Sequence, residues 1–267
     1  MSYNVLGKVV FVGAGPGDPE LITVKGKRYI EMADVIIYAG SLVNSELLKW
    51  ARGDAEIYNS ASLTLEEIVD LMVGKAREGK LVVRLKSGDP SIYGALLEEM
   101  WALDAMGVPY EVVPGMTAAT AAASVIPIEL TVPKLAQTVI ITRASLRAPM
   151  RGSIRDYAGL VKLGATMVIY TGIHIIDRVV RELREGGLDD STPVIVVYKA
   201  TWPDQKVIRG NLGDIASKVR EAKVYKDSVI IVGLAADPDL VENTVRSSVY
   251  DPSHTHSYRP WRVKVHD

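Results

Sequence analysis

What most constrains the fold of this chain is an alternation, in which short runs of β-branched residues are each followed by a longer amphipathic stretch. In the first half, Lys8–Gly13, Asp34–Ala39, Ala55–Tyr58, Leu81–Leu85 and Tyr110–Val113 read as strands. Between them, Thr23–Met32, Asn44–Ala51, Thr64–Glu78 and Ser91–Met106 carry the helical period. Thr64 can cap the third of these helices, and Glu67, three residues on, completes a capping box. Strand and helix in turn predict a parallel sheet covered by helices, because two parallel strands must be joined by a long crossover.

The second half repeats the theme with a difference. Gln137–Thr142, Ala165–Tyr170, Thr192–Tyr198, Lys206–Arg209 and Ser228–Val232 read as strands, with helices over 154–163, 175–185 and 212–221. The strand ending at Tyr198 meets the next through only the turn-rich Ala200–Gln205, so a mixed sheet is expected here. The fold class is therefore α/β, with two α/β domains of unlike topology. A length of 267 residues suits two domains of roughly 100 to 200 residues each. The expected division is an N-terminal domain over 1–115 carrying glycine-rich loops, a mixed-sheet domain over 116–245 and a tail over 246–267. Ala118–Ala123 and the two prolines between Ile126 and Lys134 read as a hinge. His254 and His256 in the tail read as part of an arm rather than as metal ligands.

Composition narrows the function classes. Thirty-one Lys and Arg balance 32 Asp and Glu, a net charge of -1, which argues against a general binder of nucleic acid or of anionic membranes. Cysteine is absent, which removes thiolate nucleophiles, Cys-ligated zinc and iron–sulfur clusters, and no other metal site is expected. No run approaches the roughly 18 apolar residues of a membrane span, and no secretion signal is visible; a cytoplasmic location is the expectation.

Three glycine turns stand at strand ends. The first, Gly13-Ala-Gly-Pro-Gly-Asp18, sits where nucleotide-binding folds place their phosphate turn. A Rossmann dinucleotide site would put its third glycine at position 18, which is Asp18, and an acid after the second strand, where Tyr38-Ala39-Gly40 stands. A Walker loop would need Gly-Lys-Ser/Thr where Asp18-Pro19 stands. The spacing also fits Rossmann-like methyltransferases, though these too want the missing acid. A tight turn stiffened by Pro16 fits equally well. In the second turn, Lys86-Ser-Gly-Asp-Pro90, Asp89 and Pro90 form a good helix start in their own right. The alternative is that Gly88 admits a ligand to the backbone at the carboxyl ends of the strands. The third turn is Val113-Pro-Gly-Met-Thr-Ala118.

In order and spacing, these three turns resemble the successive motifs of the tetrapyrrole methylases. The likeness continues through Thr142-Arg-Ala144, Ile169-Tyr-Thr-Gly172 and Ala200-Thr-Trp-Pro-Asp-Gln205, over nearly the whole chain. The resemblance implies two α/β domains with the active site in the inter-domain cleft, S-adenosylmethionine as cofactor (leaving as S-adenosylhomocysteine), a tetrapyrrole substrate and a homodimer. It assigns cofactor contacts to Pro16, Ser87, Gly88, Asp89, Ile92, Thr117, Ala118, Thr171 and Ala200, with Tyr170 adjoining them. Ala39 stands where uroporphyrinogen methylases carry an acidic proton acceptor. The runs Ile37–Val43, Thr138–Ser145 and Val249–Ser253 instead look like the branch of the family acting on precorrin-4 or its cobalt form, which implies methylation at carbon 11.

Methyl transfer from a sulfonium needs alignment and exclusion of water rather than a covalent group. No residue identifies itself as the base that removes the final proton, so the catalytic residue is unassigned. A polycarboxylate substrate calls for Arg and Lys. From Lys134 to Arg155 the chain carries Lys134, Arg143, Arg147, Arg151 and Arg155 and no acid. Arg143 and Arg147, with Gly15 and Asp18 of the first turn, are the candidate substrate contacts. Arg178, Arg181 and Arg184 alternate with Glu182 and Glu185 and read as a solvated helix face.

Overall fold

The computed structural model describes residues 6–144 and 150–237, together with Asp239, Leu240, Ser247, Thr255 and Ser257. Among them the chain forms two compact units. The first runs to Val125 and takes in Lys199–Lys206; the second comprises Ile126–Tyr198 and the chain from Val207 on.

In the first unit, five strands make one parallel sheet: β1 (Lys8–Gly13), β2 (Val35–Tyr38), β3 (Glu56–Asn59), β4 (Leu81–Lys86) and β5 (Tyr110–Val113), in the order β3-β2-β4-β1-β5. The period of two along β1 splits its side chains between the faces. Val9 and Phe11 pack with Val69, Met72 and Val73 of α2 (Leu65–Arg77) and Leu103 of α3 (Leu96–Ala105), whereas Val10 and Val12 pack with Ile30 of α1 (Val24–Met32). The crossover after β1 thus leaves toward one face and that after β4 toward the other. β4 and β1 are neighbours, so the order reverses between them, at the kind of position where open α/β sheets bind ligands beyond the carboxyl ends of their strands.

The expected cap of α2 is present: Thr64 Oγ1 accepts the Glu67 N–H at 3.3 Å, and Glu67 Oε2 accepts the Thr64 N–H at 2.7 Å. Two expectations need correction. Asn44–Ala51 forms a 3-10 helix over Ser45–Trp50, and the Asp89-Pro90 pair does not start α3. Tyr93 and Ala95 take left-handed backbone angles, φ 52° and 48°, which no α-helix passes through, so the helix begins only at Leu96. A further helix, α4 (Ala118–Val125), occupies the Ala-rich stretch read as a hinge. Alanine's high helix propensity accounts for it.

The second unit holds β6 (Thr138–Arg143), β7 (Ala165–Tyr170), β8 (Pro193–Tyr198), β9 (Lys206–Asn211) and β10 (Ser228–Val232), in the order β6-β7-β10-β8-β9. The sheet is mixed, as the direct β8-to-β9 passage implies: β6 and β7 are parallel, while β10 runs antiparallel to both β7 and β8. Its core joins Met167, Ile169, Val194, Val196 and Ile230 to Ile154 and Val161 of α5 (Ile154–Lys162), Val179 and Leu183 of α6 (Ile176–Glu185) and Ile215 and Val219 of α7 (Ile215–Glu221). On the outer side of α6, Arg178 pairs with Glu182 at 2.6 Å and Arg181 with Glu185 at 3.9 Å, the solvated face read from their spacing. The proline-bearing segment after Val125 packs into this unit, with Val132 and Ala136 buried against Ala235 and the Leu130 carbonyl accepting the Thr166 hydroxyl at 2.8 Å. The units therefore divide at Val125, ten residues beyond Gly115.

Candidate functional site

Parallel register brings the three glycine turns of the first unit to one edge. Gly13 on β1 lies opposite Lys86 on β4, and Val12 opposite Val113 on β5, so the chain leaves all three strands at the same level. Beyond the strands, Gly15 and Gly88 form an antiparallel bridge: the Gly88 N–H donates to the Gly15 carbonyl at 2.9 Å, and the Gly15 N–H to the Gly88 carbonyl at 3.3 Å. Both residues have positive φ, 75° and 64°, the left-handed region that side chains rarely enter. A Cβ on Gly13 would lie 2.6 Å from both the Cα and the N of Gly115, and one on Gly115 would strike the Gly88 carbonyl. Three backbones meet here at a distance that only glycine allows.

Asp89 ties the second turn to the third. Its Oδ2 accepts the Gly115 N–H at 2.9 Å, while Oδ1 accepts the Ser91 N–H at 2.8 Å and the Ser91 hydroxyl. One carboxylate oxygen thus spans the loops while the other caps the turn at Ser91, and the left-handed angles of Tyr93 and Ala95 keep that turn from continuing into α3. Burial would raise its pKa, but the bonds from Ser91 and Gly115 outweigh burial and hold the group below the ordinary carboxylate range. Ile92 sits in the same turn, its N–H donating to the Asp89 carbonyl at 3.2 Å. Ser87 is exposed beside them.

The space next to Gly88 is bounded by the third turn. A Cβ there would stand 3.8 Å from the Met116 carbonyl oxygen and 3.9 Å from the Ala118 nitrogen and the Thr117 Cα, ordinary contact distances. Pro16, Ser87, Gly88, Asp89, Ile92, Thr117 and Ala118 all fall in these loops, and Ala200 lies in the segment that joins the same unit. Asp18 turns its carboxylate back to accept the Glu20 N–H at 2.9 Å and caps a short 3-10 turn.

Beneath the second turn lies a cluster that sequence reading passed over. Arg84, Lys86 and Glu99 are buried: Arg84 donates to Glu99 Oε2 at 3.3 Å and to Ser60 Oγ at 2.9 Å, and Lys86 pairs with Glu99 Oε1. Burial pushes the Lys86 pKa down, against the opposing pull of Glu99. Charged residues at the end of a strand gave no signal of this; only α3 supplies the counter-charge.

In the second unit, the parallel pairing of β6 and β7 sets Arg143 opposite Tyr170. Thr171 follows with φ 56°, a strained angle for a β-branched residue, and its hydroxyl donates to the Ala144 carbonyl at 3.0 Å. Arg143, Tyr170 and Thr171 are thus gathered at one end of this sheet. Arg147, His254 and His256 lie outside the described residues.

The family model for tetrapyrrole (corrin/porphyrin) methylases matches residues 8–216, from β1 into α7. The chain belongs to the tetrapyrrole methylase family. Among similar members, the cobalt-precorrin-4 C(11)-methyltransferase of Methanocaldococcus jannaschii is 51% identical, over 94% of this chain and 96% of that protein. The precorrin-4 C(11)-methyltransferase of Pseudomonas aeruginosa is 44% identical, over 94% and 98%. The X-ray structure of a cobalt precorrin-4 methyltransferase, a cobalamin biosynthetic enzyme, superposes with a TM-score of 0.83 at 43% identity, covering 86% of this chain and 96% of that one. A uroporphyrin-III C-methyltransferase of Thermus thermophilus, solved in complex with S-adenosylhomocysteine, gives 0.73 at 32% identity, covering 86% and 98%. The two α/β sheets are those of the tetrapyrrole methylase fold.

Proposed function

We propose that this chain methylates carbon 11 of precorrin-4 or cobalt-precorrin-4 in cobalamin biosynthesis, with S-adenosylmethionine as donor, as a cytoplasmic homodimer. The observation that carries the reading is the meeting of Gly13, Gly15, Gly88 and Gly115 at one sheet edge in a chain 51% identical to a cobalt-precorrin-4 C(11)-methyltransferase. When bound, S-adenosylmethionine supplies an electrophilic methyl, open to in-line attack by a nucleophilic ring carbon.

The residues divide by what they hold. Pro16, Ser87, Gly88, Asp89, Ile92, Thr117 and Ala118 are the proposed cofactor contacts of the first unit, supported by their convergence in the glycine loops, with Ala200 of the segment that joins the same unit. Tyr170 and Thr171 are proposed as further contacts, supported by the strained, hydrogen-bonded position of Thr171. Gly15, Asp18, Arg143 and Arg147 are the proposed substrate contacts. An arginine such as Arg143 pairs with ring carboxylates through two parallel N–H donors, which fixes orientation as well as charge. The fixed loops serve to align the reactants and keep water away.

The homodimer is supported by two large apolar side chains exposed one turn apart on α3, Leu97 and Trp101, 57% and 65% exposed.

Incubation with carbon-13 methyl-labelled S-adenosylmethionine and each precorrin-4 form, followed by NMR of the product, tests the reading. Label at carbon 11 is expected. Label at another carbon, or turnover of uroporphyrinogen III alone, would reject it. Titration with S-adenosylhomocysteine, NADH and ATP tests the cofactor, and only the first is expected to bind.

A further inference from the structure

The segment Lys199–Lys206 is the one stretch beyond Val125 that belongs to the first unit, and its contacts fall on the first glycine turn. Trp202 Nε1 donates to the Pro16 carbonyl at 3.0 Å, and Thr201 Oγ1 accepts the Asp18 N–H at 3.0 Å. Between those two points lies Gly17, whose missing Cβ would fall 2.2 Å from Cδ1 and Nε1 of Trp202. The Gly17 carbonyl is taken by Asn44 Nδ2 at 2.9 Å, and both polar backbone groups of Gly15 are taken by Gly88. From Gly15 to Asp18 the backbone is therefore held from two sides: by the second glycine turn at Gly15, and by Thr201, Trp202 and Asn44 at Pro16 to Asp18.

The segment is itself built to hold this shape. Thr201 has φ 72° and Lys199 φ 45°, strained angles for residues with side chains, and such strain persists only where surrounding contacts over-determine it. Gln205 Oε1 accepts the Thr201 N–H at 2.9 Å, and the Trp202 N–H returns to the Lys199 carbonyl at 3.0 Å. Lys199 pairs with Asp204 at 2.8 Å and lies 5.4 Å from the centre of the Trp202 ring. A turn needed only to join two strands would not require a threonine in the left-handed region or an indole seated on a glycine.

We infer that Thr201 and Trp202 are positioning residues that set the first glycine turn for cofactor binding. The inference rests on the cofactor reading given above. Neither residue need touch the cofactor; they fix the backbone of Pro16 to Asp18, in which Pro16 is the proposed cofactor contact.

The test compares wild type, Trp202→Phe, Thr201→Val, Gly17→Ala, Trp202→Leu and the Gly17→Ala/Trp202→Leu pair, each well below its melting temperature. S-adenosylhomocysteine affinity and hydrogen exchange at the Asp18 amide are the readouts. Trp202→Phe keeps an aromatic side chain but loses the Nε1 hydrogen bond and the pyrrole edge over Gly17, and Thr201→Val keeps the β-branch and loses one acceptor. Each should weaken binding by about 2- to 12-fold, the range of a single hydrogen bond. Thr201→Val should also speed exchange at Asp18 by roughly tenfold, because that amide loses the Thr201 hydroxyl as its acceptor. Gly17→Ala should weaken binding in the presence of Trp202, whereas the double variant should bind no worse than Trp202→Leu alone. Wild-type affinity in both Trp202→Phe and Thr201→Val, or additive losses in the double variant, would overturn the inference while leaving the cofactor reading intact. Failure of wild type to bind S-adenosylhomocysteine would remove both.

Discussion

Gly15 and Gly88 exchange a pair of backbone hydrogen bonds, 2.9 and 3.3 Å long, across two loops that belong to different crossovers of the sheet. Strands β1 and β4 are adjacent and parallel, and their connections depart to opposite faces, so the two turns are left facing each other with nothing but backbone between them. Gly13 and Gly115 close the group from the neighbouring strand ends.

This crowding makes Gly115→Ala a sharp test. Its methyl would meet the Gly88 carbonyl and the Gly13 Cα, all backbone, and could not be relieved by a rotamer change. We expect a loss of about 1–3 kcal/mol in urea unfolding, the usual range for overpacking, together with a large loss of S-adenosylhomocysteine binding. Unchanged affinity would separate this glycine from the site.

Glu99 is the sole acid among the buried charges at the end of β4. Glu99→Gln leaves Arg84 and Lys86 buried without a counter-charge, and breaking such a pair costs about 3–5 kcal/mol. Urea denaturation measures it. A cost below about 1 kcal/mol would mean that the two cations find water or another partner when the acid is removed.

Acid stability should report Glu111 on β5. Hydrogen bonds from Lys25, Tyr29 and Lys8 lower its pKa from the ordinary 4.5 to about 2. A carboxyl whose folded pKa is depressed contributes stability that is fully present above its unfolded pKa and is lost as pH falls through the folded one. The difference in unfolding free energy between wild type and Glu111→Gln should therefore be level above about pH 5.5, the unfolded pKa plus one. It should shrink between there and pH 2. A difference that stayed constant across that interval would show that Glu111 is not ion-paired in solution.

Arg143→Ala separates substrate from cofactor. Loss of a charge-assisted bond to a ring carboxylate should raise KM for the tetrapyrrole by roughly 10- to 150-fold, with S-adenosylhomocysteine affinity within about twofold of wild type. A matching loss in both affinities would move Arg143 out of the substrate role.

Every strand of the two sheets could be found from the sequence to within a residue or two, because β-branched runs bounded by turn residues leave little alternative. The glycine turns could be found the same way, as could the cap of α2 and the charged face of α6, which depend on neighbours at most four residues apart. What needed the fold were pairings between distant segments. The order β4-β1-β5 decides that Gly13, Gly88 and Gly115 meet, and a list of strands does not contain that order. Asp89 followed by Pro90 satisfies the local rule for a helix start, yet its carboxylate serves Gly115, and left-handed Tyr93 and Ala95 delay the helix to Leu96. Nothing near Lys86 and Arg84 along the chain points to Glu99, which only α3 brings to them. Trp202 reads as a turn residue until it is found on Gly17. Local conformation is governed by the few residues on either side and is written along the chain. The site depends on contacts between segments far apart in sequence, whose partners are chosen only when the sheet closes its register and the core packs.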